Sequence, residues 1–200
     1  MCLRTLCQAL LLTSLSTTPL SKQSSMLQNQ ATASPPSCSI DTLPAPVRAQ
    51  LNTGYASWKI QDVFSLSPSA RRSWEDKKLG KPGACPGIAA GTFEDGSEGY
   101  ALLLVPRARP ERAYRFLVFN NRNGQSAYRM TTVEAFDKGG AQNLFLRPVR
   151  MSDLFDHASR TKLGVIASEG VVIVESGNSE LCADVFFWTK DGYRHEPMEY

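Results

Sequence analysis

Two hundred residues, 42% apolar and 20% charged, are ordinary globular proportions and suffice for one domain with a real core. The formal net charge of +3 comes largely from the first 38 residues, which hold Arg4 and Lys22 and no acid; the remainder has 20 basic against 19 acidic groups. A near-neutral body lacks the concentrated basic surface of a nucleic-acid binder, and only Arg107, Arg109, Arg112 and Arg115, with Glu111 among them, hint at one.

The chain opens with Arg4 and an apolar stretch, Leu6–Leu15, too short to span a bilayer and of the length found in export signals. Residues 1–18 are read as a signal segment, 19–42 as a polar linker and 43–200 as one globular domain. Ala31-Thr32-Ala33 has the small-x-small form of a cleavage point. The expected location is therefore periplasmic or extracellular. Cleavage leaves Cys38, Cys85 and Cys182, enough for one intramolecular bridge. Cys85–Cys182 is the preferred pair, Cys38–Cys85 its competitor, and a lipid on Cys38 a further way to use the odd thiol.

Within the body, Val47–Leu51 reads as a short helix closed near Gly54, followed by a mixed extended stretch from Tyr55 to Phe64. Ser67-Pro68 starts a second helix that runs to about Leu79 and stops at Gly80, with Ala70, Trp74, Lys77 and Lys78 on one stripe. Strands follow at Ile88–Phe93, Tyr100–Val105, Tyr114–Phe119, Tyr128–Phe136 and Leu144–Val149. Asn123-Gly124 marks a hairpin between the third and fourth of these. Ser152–Ser159 reads as a short helix, Val165–Ala167 as a brief strand, and the wholly apolar Val171–Val174 as a strand buried on both faces. Leu181–Thr189 is the last long strand, turned by Asp191-Gly192 into Tyr193 and His195. The expected fold is α+β: a single domain, mainly antiparallel sheet with two or three short helices.

Gly91-Thr92-Phe93-Glu94-Asp95-Gly96-Ser97-Glu98-Gly99-Tyr100, running into Ala101–Leu104, resembles a degenerate FG-GAP or VCBS-type segment. In that family a glycine- and aspartate-rich loop holds calcium ahead of an aliphatic propeller strand. The resemblance implies Glu94, Asp95, Ser97 and Glu98 as weak calcium candidates; Thr92, Glu94 and Gly99 stand where aspartates are expected, and one residue is missing before Gly96. One such segment does not supply the recurring blades of a propeller. The order Cys85-Pro86-Gly87, Gly91-x-Phe93, an aliphatic strand and a late Phe186-Phe187-Trp188-x-x-Asp191-Gly192-Tyr193 is also similar to a class of small exported bacterial proteins of unassigned function.

Catalytic patterns are wanting. His157 and His195 have no Cys or His at zinc spacing. Ser179 in Gly177–Leu181 lacks the second glycine of a nucleophile elbow. Gly83, Gly87 and Gly91 enclose Cys85-Pro86, where the proline removes a donor that a phosphate loop needs. Asp153 and Asp156, three apart on the expected helix, share a face without any sign of burial. Cys182, between Glu180 and Asp184, lacks the basic setting of a reactive thiol. No catalytic residue, cofactor or metal is assigned. The expectation is a non-enzymatic exported domain that binds a protein or cell-envelope component, with no nucleic acid and no membrane span in the mature domain. The alternatives are a hydrolase using acids near Glu94–Glu98 and a calcium-stabilised adhesion-like module.

Overall fold

Among the described residues, nine antiparallel strands in two sheets are the largest structural component. The computed structural model describes residues 38–76, 84–94, 96–121, 127–176 and 181–198. The targeting segment, the Asn123-Gly124 turn, Lys77 to Gly83 and Ser179 lie outside them. The described residues form one compact unit.

In chain order the strands are β1 (Trp58–Ile60), β2 (Ile88–Gly91), β3 (Gly99–Pro106), β4 (Tyr114–Asn121), β5 (Tyr128–Phe136), β6 (Leu144–Arg150), β7 (Glu169–Ser176), β8 (Leu181–Thr189) and β9 (Gly192–Met198). The helices are α1 (Ala45–Gly54), α2 (Pro68–Asp76), α3 (Met151–Leu154) and α4 (His157–Leu163), with one-turn 3-10 segments at Ile40–Thr42 and Val63–Ser65. The first sheet runs β1-β3-β4-β5, and β2 shares with β1 the same edge of β3: Ala89 faces Ala101 while Lys59 faces Val105. The second sheet is the meander β6-β7-β8-β9.

Side-chain alternation explains the architecture. On β3, Ala101, Leu103 and Val105 point between the sheets, where they meet Phe116 and Val118 of β4, Leu146 of β6, Val171 and Ile173 of β7 and Phe186 of β8. Phe116 and Phe186 meet edge to face at 5.1 Å. The opposite parity is also apolar. Leu102, Leu104, Leu117 and Phe119 face outward and are covered by Val47 and Leu51 of α1. Val172, Val174, Val185 and Phe187 are covered by Ala70 and Trp74 of α2, with Leu154, Phe155 and Leu163 around them. Strands buried on both faces read as unbroken apolar runs, as β3 and β7 do.

The expected α+β class is therefore corrected: the protein is predominantly β, and its few short helices lie over the outer sheet faces. The extended stretch from Tyr55 shrinks to the three residues of β1, because Asp62 caps a 3-10 turn by accepting from the Ser65 amide at 2.7 Å. The expected helix Ser152–Ser159 is two helices, broken at Phe155 and Asp156, whose φ and ψ are extended. Asp156 accepts from the Ser159 amide at 2.7 Å as the cap of α4.

The disulfide is also corrected. Cys85 is bonded to Cys38, with Cα atoms 5.4 Å apart, and not to Cys182. Cys182 lies on β8 opposite Glu175. A Cys38 sulfur bonded to Cys85 cannot also carry a lipid thioether. The bridge ties the segment leading into α1 to the turn before β2, and so fixes α1 on the outer face of the first sheet.

Candidate functional site at the β2–β3 end

The loop from β2 to β3 is built around Phe93, which is 1% exposed. Gly91 and Gly99 make room for it. A Cβ on Gly91 would lie 2.7 Å from the Phe93 ring; one on Gly99 would lie 3.1 Å from that ring and 2.6 Å from Asn120 Oδ1. The glycine-phenylalanine pattern that carries the family resemblance thus has a packing cause in this chain.

With Phe93 turned in, Glu94 follows, and its side chain is only 4% exposed. It accepts a charge-assisted hydrogen bond from Arg129 Nη2 on β5 at 2.5 Å. The Arg129 guanidinium lies over the Trp188 ring at 5.2 Å, and Trp188 meets Tyr193 edge to face at 4.8 Å. Tyr193 Oη accepts from Asn120 Nδ2 at 3.0 Å. Burial pushes the Tyr193 phenol well above its ordinary range, against the opposing hydrogen bond from Asn120, so it stays protonated at any physiological pH. Five residues from β4, β5, the β2–β3 loop and the β8–β9 hairpin form one chain of contacts linking the two sheets. A neighbouring anchor holds the loop base: Thr92 donates through its amide and its hydroxyl to Glu169 Oε2, at 2.6 and 2.8 Å.

The described calcium candidates do not gather into one site. Glu94 is committed to Arg129, while Glu98 accepts from Tyr100 Oη at 2.8 Å. Burial, followed by that bond to the Glu98 carboxylate, raises the Tyr100 phenol to about 12. Asp95 lies outside the described residues, and Ser97 flanks the turn at Gly96. No three His, Cys, Asp or Glu side chains come within reach of a common metal ion among the described residues. The remaining candidates are separated as well. Asp153 pairs with Arg150 at 3.0 Å, and Asp156 caps α4, so the expected shared helix face does not exist. His157 opens α4, and His195 packs its ring on Phe186 at 5.5 Å.

Sequence reasoning singled out the loop and the late aromatics but not Arg129 or Asn120. Neither stands in a motif, and 35 residues separate Glu94 from Arg129. Arg129, Trp188 and Tyr193 are partly exposed, and the backbone beside Trp188 is bonded to that of Ile166, 56% exposed, whose amide donates to the Trp188 carbonyl at 3.1 Å. Comparison with protein families, with curated proteins and with solved structures finds no match. No helix among the described residues is long and apolar enough to cross a membrane.

Proposed function

We propose that this chain is an exported, non-enzymatic domain that binds a protein or cell-envelope component through the β2–β3 end of its two sheets. The observation that carries the reading is the Arg129 guanidinium held between buried Glu94 and the face of Trp188, with Ile166 exposed alongside. Trp, Tyr and Arg in a preorganised setting are the residues that dominate binding energy at interfaces, because little side-chain freedom remains to be lost. The Cys38–Cys85 bridge supports a non-cytoplasmic setting, since disulfides persist in oxidising compartments. A periplasmic or extracellular location goes with that reading.

A photo-crosslinking residue at Ile166 tests it in the exporting cell. The expected result is one discrete adduct that Trp188→Ala removes while the circular dichroism spectrum is unchanged. A smear of adducts indifferent to Trp188→Ala contradicts the proposal.

A further inference from the structure

The other end of β3 and β4 carries a second surface. The loop between these strands presents Arg107, Arg109 and Arg112 to solvent, with only Glu111 to oppose them. Nearby cations are already matched: Arg115 with Asp137 at 2.5 Å, Lys59 with Asp62 at 2.9 Å and Arg48 with Asp41 at 3.8 Å. The three loop arginines form no ion pair among the described residues. Arg107 is fixed at the loop base, where its amide donates to the Ser57 carbonyl and its Nε to the Ala56 carbonyl. Beside it opens a shallow depression walled by Leu51, Tyr55, Trp58 and Leu104. Trp58 is held in place by the Arg115 guanidinium on one face, at 4.8 Å, and by a T-shaped contact with the Tyr55 ring, at 6.2 Å.

We infer that this end is a docking surface for an acidic segment of another protein, which seats one apolar side chain against Tyr55 and Trp58 and sets its carboxylates on Arg107, Arg109 and Arg112. Three unmatched guanidinium groups in six residues call for an anionic partner, and the guanidinium fork matches a carboxylate in two hydrogen bonds. The depression is small and open to solvent, so it offers a partial apolar wall and does not enclose a free small molecule. A nucleic-acid surface draws on a wide cluster of free cations, and Arg115, Lys59 and Arg48 are each already paired with an aspartate. The chain's own leader is not the occupant, because its first 38 residues contain no Asp or Glu. The surface shares no residue with the Arg129–Trp188 end, so the two readings stand or fall separately.

The test uses the full chain and a fluorescent twelve-residue peptide of Glu and Asp around a single Leu. Its controls are the same peptide with Gln and Asn, an anionic phospholipid vesicle and a single-stranded oligonucleotide. Saturable binding of the acidic peptide is expected, with none of the amide peptide, and at least a tenfold loss in Arg109→Glu/Arg112→Glu. Both arginines are exposed, so the double variant keeps its fold, and Tyr55→Ala serves as a second, uncharged probe expected to weaken binding. The inference is overturned if the wild-type chain does not bind the peptide or the double variant binds it equally. It is also overturned if these arginines bind the vesicle or the oligonucleotide instead, or if they serve only to associate copies of the chain with one another.

Discussion

At Glu94 a carboxylate leaves water and is matched with a single guanidinium whose other side rests on Trp188. Glu94→Gln keeps the shape and removes the charge. It should lower stability by about 2 kcal/mol in urea unfolding, the range for a hydrogen bond between charged groups. An unchanged midpoint would show that the pair contributes nothing. Asp62 supplies a pH-dependent counterpart. Burial acts to raise its pKa, but hydrogen bonds from Lys59 and Ser65 prevail, and the net position is below the ordinary 3.8. A carboxyl depressed in the folded state contributes stability above its unfolded pKa and loses it as pH falls through the folded value. The stability gap between wild type and Asp62→Asn should therefore be present at pH 6 and shrink as the pH falls below the ordinary 3.8, as read by urea titrations at each pH. At this scale the sequence was only partly readable. Glu94 and the late aromatics stood out by position, but Asn120 and Arg129 join them through β4 and β5, and no local spacing announces such a contact.

The strands were the most readable elements. Ala101–Val105 and Val171–Val174 are short apolar runs without helical periodicity, and each is buried on both faces in a central strand. Tyr128–Phe136 and Leu181–Thr189 keep the expected bounds. Elements set by a single cap were harder. Asp156 reads as a helix-face residue until its extended φ and ψ make it the cap of α4, although aspartate is itself a favoured N-cap residue. The α+β expectation of a mainly antiparallel sheet with two or three short helices gives way to a predominantly β protein, because helices of four to ten residues act only as covers for sheet faces. Phe145, fully buried on β6 and edge to face with Trp74 at 5.3 Å, should cost about 3–5 kcal/mol as Phe145→Ala, by denaturant unfolding. Gly99→Ala drives a Cβ to 2.6 Å from Asn120 Oδ1 and should cost about 1–3 kcal/mol. Because Asn120 holds Tyr193, the same substitution should also perturb the near-ultraviolet signal of Trp188 and Tyr193.

Over the whole molecule, two sheets share one inner core and the bridge from Cys38 to Cys85 closes a loop across 47 positions. In the chain-entropy treatment such a loop is worth roughly 4 kcal/mol, so Cys38→Ser should melt well below the oxidised wild type and match the wild type in reductant. The pairing was not readable from sequence because Cys38 falls in what reads as spacer, outside the body it is bonded to. Its partner is chosen by where α1 lies on the first sheet, a fact of tertiary structure. The central claim is an exported domain clamped by that bridge. It is tested most directly by alkylating the protein as recovered from its host, without reductant, and mapping its tryptic peptides. The account predicts that the peptide ending at Arg48 is disulfide-linked to the peptide ending at Arg107. Recovery of both peptides alkylated, or of Cys38 bearing a lipid, would contradict it.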